Sequence, residues 1–166
     1  MKYHQKGEAK MSKDKKPHDL DLKVNINIKA IDNVTGKVKD EVDIHNIVTT
    51  AGKSRIAQLI NGVSTNFFEY IGIGTGTTSA VVGDTDLEAE TTRALATTDE
   101  SVSGTARWVK VFTFSSGESY AITETGIFDG SASGATLMNR SVFSAINVDV
   151  DTDLSITITL AVDNCP

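Results

Sequence analysis

Residues 154–162 read Leu-Ser-Ile-Thr-Ile-Thr-Leu-Ala-Val, and this stretch decides the fold class. Its apolar residues occupy every second position, which is the spacing of a β-strand with one buried face. If its five large apolar side chains are each buried at about 1.5–3 kcal/mol, the strand contributes on the order of ten kcal/mol before the entropic cost. We therefore predict a strand over residues 154–163 at the centre of a sheet.

A second alternating stretch begins at Leu20, where apolar and polar residues again take turns up to Ile28. Residues 32–36 read Asp-Asn-Val-Thr-Gly, a composition typical of turns, and apolar positions resume after them. The pattern predicts a β-hairpin. Because Val38 and Val42 are unevenly placed for strict alternation, the returning strand is expected to be irregular.

The sequence contains one helix candidate, with Thr49 or Thr50 as the N-cap and an end near Asn61-Gly62. An isolated helix of about three turns is marginal in water, so it is expected to rest on a sheet. The residues predicted to form its apolar stripe are Ile56, Leu59, Ile60 and Val63.

The remaining chain is rich in short strand patterns separated by turn residues. A long loop is predicted over residues 76–92, and the strands are predicted at 68–74, 93–102, 105–115, 120–129 and 136–148. Many short strands with a single helix predict an all-β fold, an antiparallel β-sandwich of jelly-roll-like type. The sandwich domain is placed at residues 20–166, after an extended basic N-terminal arm at residues 1–19.

Length and composition restrict the class of protein. With 166 residues and 39% hydrophobic content, the chain suits one domain. It has no apolar run near the roughly 18 residues of a membrane span, and Lys13-Asp14-Lys15-Lys16 stands where a signal peptide would be apolar. Its single cysteine, Cys165, excludes an intrachain disulfide and a cysteine-based zinc site, leaving a frayed terminal thiol or an intermolecular bridge.

Charge is distributed unevenly between the arm and the rest of the chain. Residues 1–18 have six lysines and two acidic residues, a net charge of +4, whereas the whole chain carries −6 and the remainder therefore −10. We assign the arm to partner binding through Lys2, Lys6, Lys10, Lys13, Lys15 and Lys16. The alternative is a solvated tail, or a leader preceding a start at Met11. Nucleic acid is not an expected partner, because the acidic body would repel phosphates.

Two glycine-containing motifs resemble nucleotide-binding loops but are assigned to structure. Gly52-Lys53-Ser54 lies between a strand and a helix, yet position 47 is isoleucine where a phosphate loop needs glycine. It is interpreted as an ordinary helix start. Gly72, Gly74 and Gly76 precede no helix pattern, so we interpret them as a bare strand face on which another backbone or a bulky side chain such as Trp108 can pack closely.

Three further groups of residues have the composition of metal-binding or catalytic sites. Asp149, Asp151 and Asp153 have the spacing of a calcium loop, but the glycine and glutamate required later are both leucine, so a solvated turn is predicted. His45 is the only histidine outside the arm, and it is expected to tie the end of a strand to the helix. Glu118 and Glu124 form a carboxylate pair of the kind glycosidases use, which any acidic protein offers. No catalytic residue, metal or cofactor is assigned.

Several motifs in sequence order resemble small structural proteins of tailed-bacteriophage virions. They are Asp32-Asn33-Val34-Thr35-Gly36-Lys37, His45-Asn46, Ile71-Gly72-Ile73-Gly74-Thr75-Gly76-Thr77-Thr78, Asp86-Leu87-Glu88 with Arg93, Ile122-Thr123-Glu124-Thr125-Gly126-Ile127-Phe128, and Leu137-Met138-Asn139-Arg140-Ser141-Val142-Phe143. The resemblance covers roughly residues 30–162. It includes tail-fibre-like and capsid-decorating proteins.

The resemblance implies a non-enzymatic virion component that is assembled in the host cytoplasm. Its partners would be capsid or tail and neck subunits and further copies of itself in a symmetric homo-oligomer, for example a trimer, with no membrane. The alternative is a carbohydrate- or receptor-binding sandwich, in which exposed aromatic rings stack on sugar. Trp108, Tyr70 and Tyr120 are the candidates for that role, although the core is the expected place for each.

Overall fold

The computed structural model describes residues 20–46, 48–99 and 104–164, which form two antiparallel β-sheets and one helix. In chain order the elements are β1 (Leu20–Asp32), β2 (Val38–Asn46), α1 (Thr50–Ile60), β3 (Tyr70–Gly74), β4 (Glu90–Leu95), β5 (Thr97–Asp99), β6 (Thr105–Phe112), β7 (Tyr120–Phe128), β8 (Leu137–Val148) and β9 (Thr152–Asn164). The predicted all-β sandwich is confirmed. The predicted arm at residues 1–19 and Cys165 lie outside the described residues.

The strands are divided between a five-stranded sheet and a four-stranded sheet. The five-stranded sheet has the order β2-β1-β9-β6-β5, and the four-stranded sheet has the order β4-β3-β7-β8. Strands that follow one another in sequence lie side by side as the pairs β1–β2, β3–β4, β5–β6 and β7–β8. The jelly-roll-like form of the prediction is not confirmed.

Strand β9 lies at the centre of the five-stranded sheet, as its alternation predicts. It pairs with β1 along its whole length and with β6 on its other edge. Leu154, Ile156, Ile158 and Leu160 are buried in the sandwich as predicted, whereas Val162, expected on the same buried face, is 51% exposed. Ile158 faces Ile26 of β1 across the ladder, so the two alternating stretches form one apolar surface.

The hairpin of β1 and β2 is confirmed, and so is its irregularity. The register shifts between Ala30 and Ile31, opposite the uneven stretch of β2. The turn is held by Asp32, whose Oδ1 accepts hydrogen bonds from the backbone N and the hydroxyl of Thr35 at 2.7 and 2.8 Å. Gly36 closes the turn at a φ of 70°, a conformation that favours glycine.

Helix α1 begins and ends as predicted, but its apolar stripe is only half buried. Thr49 is the N-cap, and its hydroxyl accepts a hydrogen bond from Gly52 N at 2.9 Å. Ile56 and Leu59 pack against the core. Ile60 and Val63 are exposed, so the prediction that they share the buried stripe was wrong. The helix ends there, and the backbone N of Val63 donates back to Gln58 O at 2.9 Å.

The predicted strand over residues 93–102 was wrong, because this segment passes from one sheet to the other. Residues 90–95 form β4 in the four-stranded sheet, and residues 97–99 form β5 in the five-stranded sheet. Between them Ala96 is buried, and its backbone N donates to Glu69 O at 2.8 Å. The long loop is correspondingly shorter than predicted, at residues 75–89.

The main core lies between the two sheets. It contains Trp108, which is 6% exposed and donates its indole N–H to Phe68 O at 2.6 Å. A second, smaller cluster of Leu87, Phe128 and Leu137 lies under the 75–89 loop. The four-stranded sheet is therefore covered on both faces. Within the described chain, no helix has the length and apolarity needed to cross a membrane.

Candidate functional site

The most unusual polar group of the fold is Glu124, whose side chain is 0% exposed. A register irregularity between Ile122 and Glu124 in β7 interrupts the regular alternation of that strand. Oε1 accepts hydrogen bonds from Gly76 N at 3.0 Å and Ala89 N at 2.7 Å. Oε2 accepts from Glu88 N at 3.0 Å and from Arg140 Nε at 2.7 Å. Four donors occupy about all the acceptor positions of a carboxylate.

Arg140 of β8 is the counterion of this carboxylate, and its side chain is 4% exposed. Its two terminal nitrogens also contact Asp84 at 3.2 Å and Glu88 at 3.3 Å. Burial lowers the pKa of Arg140, but hydrogen bonds to Glu124 and Asp84 raise it, and the net shift is upward. The guanidinium therefore stays charged.

This network holds the two ends of the 75–89 loop. Gly76 lies at its start and Glu88 and Ala89 at its end, and all three donate to the same carboxylate. Without Glu124 these three backbone N–H groups would lose their shared acceptor. The buried charge thus acts as an anchor for a loop that contains no regular strand or helix of its own.

The glycine-rich strand explains how the loop can lie so close. A Cβ added at Gly76 would be 2.5 Å from both Glu124 Oε1 and Glu88 Cβ, and one at Gly72 would be 2.9 Å from the Phe128 ring. The predicted close packing on these glycines is confirmed. A backbone packs there, as predicted, since a Cβ added at Gly74 would overlap Ala89 O, whereas Trp108, the example given of a bulky partner, belongs to the core between the sheets.

Arg93 forms a second anchor at the end of the same loop. Its guanidinium lies over the Phe128 ring, 3.3 Å from the centroid, and contacts Asp86 at 3.1 Å and Glu90 at 2.5 Å. It also donates to the carbonyl oxygens of Gly130 and Ala132. Asp86, Glu88 and Arg93 stood in the sequence pattern without a role, and the structure assigns all three to holding the loop.

At the loop surface, Thr78 completes the arrangement. Its hydroxyl donates to Glu88 Oε1 at 2.6 Å and its backbone N to Oε2 at 2.7 Å. These bonds, the hydroxyl bond first, lower the pKa of Glu88 below its ordinary value. Each of these charged groups is engaged by a partner in the loop or beside it, which suits the network to positioning the chain rather than to moving a proton.

Sequence reasoning missed the pairing of Glu124 with Arg140. The available signal was a charged residue inside each of two predominantly buried strands, at Glu124 in β7 and at Arg140 in β8. Since a buried charge is costly without a counterion, two such residues on successive strands indicate a pair. The strand register brings the two charged groups together. Arg140 lies opposite Gly126, which is two residues from Glu124 along β7 and has no side chain to separate them.

The histidine and glutamate candidates do not come together. The exposed His45 has its Nδ1 2.5 Å from Asn25 Oδ1 of β1, so the prediction that it ties the strand to the helix was wrong. The next residue, Asn46, instead joins the end of β2 to β8, through bonds from its side-chain amide to Arg140 O and Ser141 Oγ. Glu118 is exposed and accepts from Ser115 N, whereas Glu124 is occupied in the network.

The Gly52-Lys53-Ser54 motif and the aspartates Asp149, Asp151 and Asp153 have structural roles, as predicted. Gly52 is buried against β8, where an added Cβ would lie 2.5 Å from Met138 O, so it serves helix packing. The aspartates form a turn in which Asp149 Oδ1 accepts from Asp151 N and from the Thr152 hydroxyl. Among the described residues, no three histidine, cysteine or acidic groups are placed to hold a metal ion.

Two surface features remain. Ile60, Val63 and Phe67 are 78%, 74% and 64% exposed, although all three are large apolar residues within eight positions of the chain. A polar groove of about 340 Å³ is lined by residues of β4 and β6, of the segment after β6 and of the start of β7, including Lys110, Glu118 and Tyr120. The six arm lysines assigned to partner binding lie outside the described residues.

No family model, no curated protein and no solved structure matches the chain.

Proposed function

We propose that this protein is a non-enzymatic structural subunit that docks onto copies of itself and onto neighbouring proteins, as a component of a tailed-phage virion. Its place would be capsid decoration or the neck and tail. The assignment to a phage virion depends on the ordered sequence motifs between residues 30 and 162. The assignment to docking depends on apolar residues exposed at the surface of the molecule.

The observation that carries the proposal is the exposed apolar patch, which we define as Ile60, Val63 and Phe67. Each side chain is more than 60% exposed. Apolar surface to which several large side chains contribute marks interaction sites in soluble proteins, because covering it removes the cost of hydrating it. The patch lies at the end of α1 and in the following segment.

The buried charges support a structural role as well. A general acid or base needs to reach a substrate proton within about 2.6–3.2 Å. Glu124 is fully buried and bonded to four donors, and Arg140 contacts three carboxylates. The proposal therefore gives these groups the task of holding the 75–89 loop.

The test is self-association of the full chain, measured by sedimentation velocity over a range of concentrations. We expect Ile60→Ser with Phe67→Ser to weaken association by at least tenfold while leaving the circular dichroism spectrum unchanged. Val34→Ser is the matched control, since Val34 is 81% exposed at the β1–β2 turn, outside the patch. A patch variant that associates as well as the wild type, or a wild type that stays monomeric, would overturn the proposal.

The polar groove favours a second candidate, a carbohydrate- or receptor-binding module. Tyr120 lines the groove and contacts Phe114, with ring centroids 6.0 Å apart, so one aromatic ring is held rigidly at its wall. Trp108 is buried and cannot offer its face to a sugar. A glycan array with wild type, Tyr120→Ala and Lys110→Ala tests this: a specific signal lost in both variants would favour sugar binding.

A further inference from the structure

The five-stranded sheet has a long open edge at β2. Within the described part of the chain, β2 is nine residues long and forms a strand ladder only with β1, while β8 of the other sheet lies near its end and accepts a hydrogen bond from the Asn46 amide. At the opposite end of the sheet β5 is three residues long. In the other sheet, β8 has Val48 and α1 against it, and β4 has six residues. An open strand edge is a template for pairing with another chain.

Strand β2 also carries three acidic residues, Asp40, Glu41 and Asp43, against one lysine, Lys39. Glu41 and Asp43 are exposed on its outer face, opposite Lys29 and Asn27 of β1. The amide of Asn27 donates to both carboxylates at 2.8 Å and holds them side by side. Hydrogen bonds from Asn27 and then Lys29 lower the pKa of Glu41, so it is charged at neutral pH.

The basic arm complements this strand in charge and in spacing. Lys2, Lys6 and Lys10 are four residues apart, so in an extended strand they point to the same side. Glu41 and Asp43 are two apart and also share a side. A strand added at this edge would bring lysines beside carboxylates as cross-strand neighbours, a favourable pairing.

We propose that residues 1–19 of one copy add as an antiparallel strand to the open edge of β2 in a neighbouring copy. Backbone hydrogen bonds of the new ladder supply the attachment, and the lysines beside Glu41 and Asp43 select this edge. The inference deepens the proposed function, on which it rests, by naming the surface that receives the arm.

Chain geometry favours a neighbouring copy over the same chain. All strand pairs described here are antiparallel, and an antiparallel arm would end beside Val38, opposite Ile31 and eleven residues along β1 from Leu20. That end lies about 36 Å along the sheet and about 10 Å across two strands from Leu20, a straight-line distance of about 37 Å. Once nine of residues 1–19 are paired, ten remain, and ten extended residues reach only about 33–36 Å.

Hydrogen exchange of the β2 amides tests the contact directly. A strand paired on one edge protects only the amides that face its partner, so a second partner protects the remaining ones. In the assembled full chain we expect those amides to exchange at least tenfold more slowly than in a variant lacking residues 1–19. The amides of β5 are the control edge and should not change.

Mixing identifies the donor of the arm. Isotope-labelled protein lacking residues 1–19 is combined with unlabelled full-length protein, and exchange is followed only in the labelled body. Protection of its β2 amides is expected, because its only source is the arm of another copy. Protection in a dilute full-length monomer would instead place the arm on its own β2 and overturn the proposal.

Charge reversal tests the selection of the edge. Asp43→Lys is expected to weaken association at least tenfold, and Lys6→Glu with Lys10→Glu in the arm should restore it. The control is Asp153→Lys on β9 of the same sheet, which should change little. A further variant lacks only residues 1–10 and tests whether the lysines after Met11 are enough for pairing with β2. Retained exchange protection of the β2 amides in this variant would place the paired strand at residues 11–19.

The outcomes separate this inference from the proposed function. If removing residues 1–19 abolishes association but leaves β2 exchange unchanged, the arm docks elsewhere and only the β2 assignment fails. If truncation and Asp43→Lys both leave association unchanged, the arm has no docking role, while the apolar patch can still be tested by its own variants. If the wild type never associates, both proposals fail.

Discussion

Glu124 depends on Arg140 because a carboxylate that has lost its hydration needs hydrogen-bond donors and an opposite charge inside the protein. The network supplies three backbone donors and one guanidinium, and the guanidinium is the only one of the four with a full opposite charge. Removing one partner of a buried pair is more damaging than removing both, since the remaining charge is left uncompensated.

We therefore expect Arg140→Met, which keeps length and apolar bulk, to lower the free energy of unfolding by about 3–5 kcal/mol in urea titrations. Arg107→Met is the control, because Arg107 pairs with Asp99 in an exposed position where an ion pair contributes little. Equal unfolding midpoints for Arg140→Met and the wild type would contradict the anchoring role.

Thr78 and Glu88 offer a pH measurement at the same loop. The Thr78 hydroxyl is the largest cause of the lowered pKa of Glu88. Thr78→Val should therefore raise the pKa of Glu88 towards its ordinary value of 4.5, as followed by NMR of the side-chain carboxyl. Thr77→Val is the matched control, since Thr77 acts on Glu88 only through its backbone.

The sign of the effect on stability follows from the direction of the shift. A carboxyl whose pKa is lower in the folded state stabilises the fold above its unfolded pKa, and this contribution is lost as pH falls through the folded value. For Glu88 the loss begins below about pH 4.5 in the wild type, and Thr78→Val should weaken that dependence. An unchanged Glu88 titration in Thr78→Val would contradict the assignment.

Among the elements, α1 shows how packing overrides local preference. Alanine is a better helix former than glycine by about 1 kcal/mol in a helix interior. Gly52, however, lies against the backbone of Met138, where an added Cβ would be 2.5 Å from O and 2.7 Å from Cα. Backbone cannot move aside as a flexible side chain does, so the helix would have to lift from β8.

Gly52→Ala is accordingly expected to destabilise the protein by about 1–3 kcal/mol, the usual cost of overpacking. Gly83→Ala is the control, because a Cβ there meets no atom within 4 Å and the backbone has an ordinary φ. Thermal unfolding followed by circular dichroism measures both. A Gly52→Ala protein as stable as Gly83→Ala would mean that the helix tolerates displacement.

At the scale of the whole molecule, the two sheets share one core. The main cluster draws side chains from both sheets, including Ile28 of β1 and Ile122 of β7. Trp108, the only tryptophan, lies within it. A shared core favours cooperative unfolding, because neither sheet can keep its apolar face covered without the other.

We expect Trp108 fluorescence and far-ultraviolet circular dichroism to report one coincident transition in urea. The full chain and a variant lacking residues 1–19 should give the same midpoint at concentrations where neither associates, since the arm precedes β1. Transitions that separate by more than the error of the midpoint would show that the sheets unfold independently.

The sequence by itself determined the fold class, the central place of β9, the β1–β2 hairpin and the bounds of α1. These features depend on local properties: the period of two in Leu154–Val162, the turn residues after Ile31, and a threonine that caps a helix. A strand pattern or an N-cap involves only residues close together in the chain, so it can be read without knowing what lies opposite.

Only the tertiary structure decided where the 90–99 segment changes sheets, why Ile60 and Val63 stay exposed, and which side chain meets the glycine strand. It also decided the pairing of Glu124 with Arg140 and with Gly76, residues that are 16 and 48 positions away in sequence. The physical reason is that burial and hydrogen bonding depend on which surfaces meet in three dimensions. Alternation along a strand indicates that one face is buried, but it does not identify the residues that pack against that face.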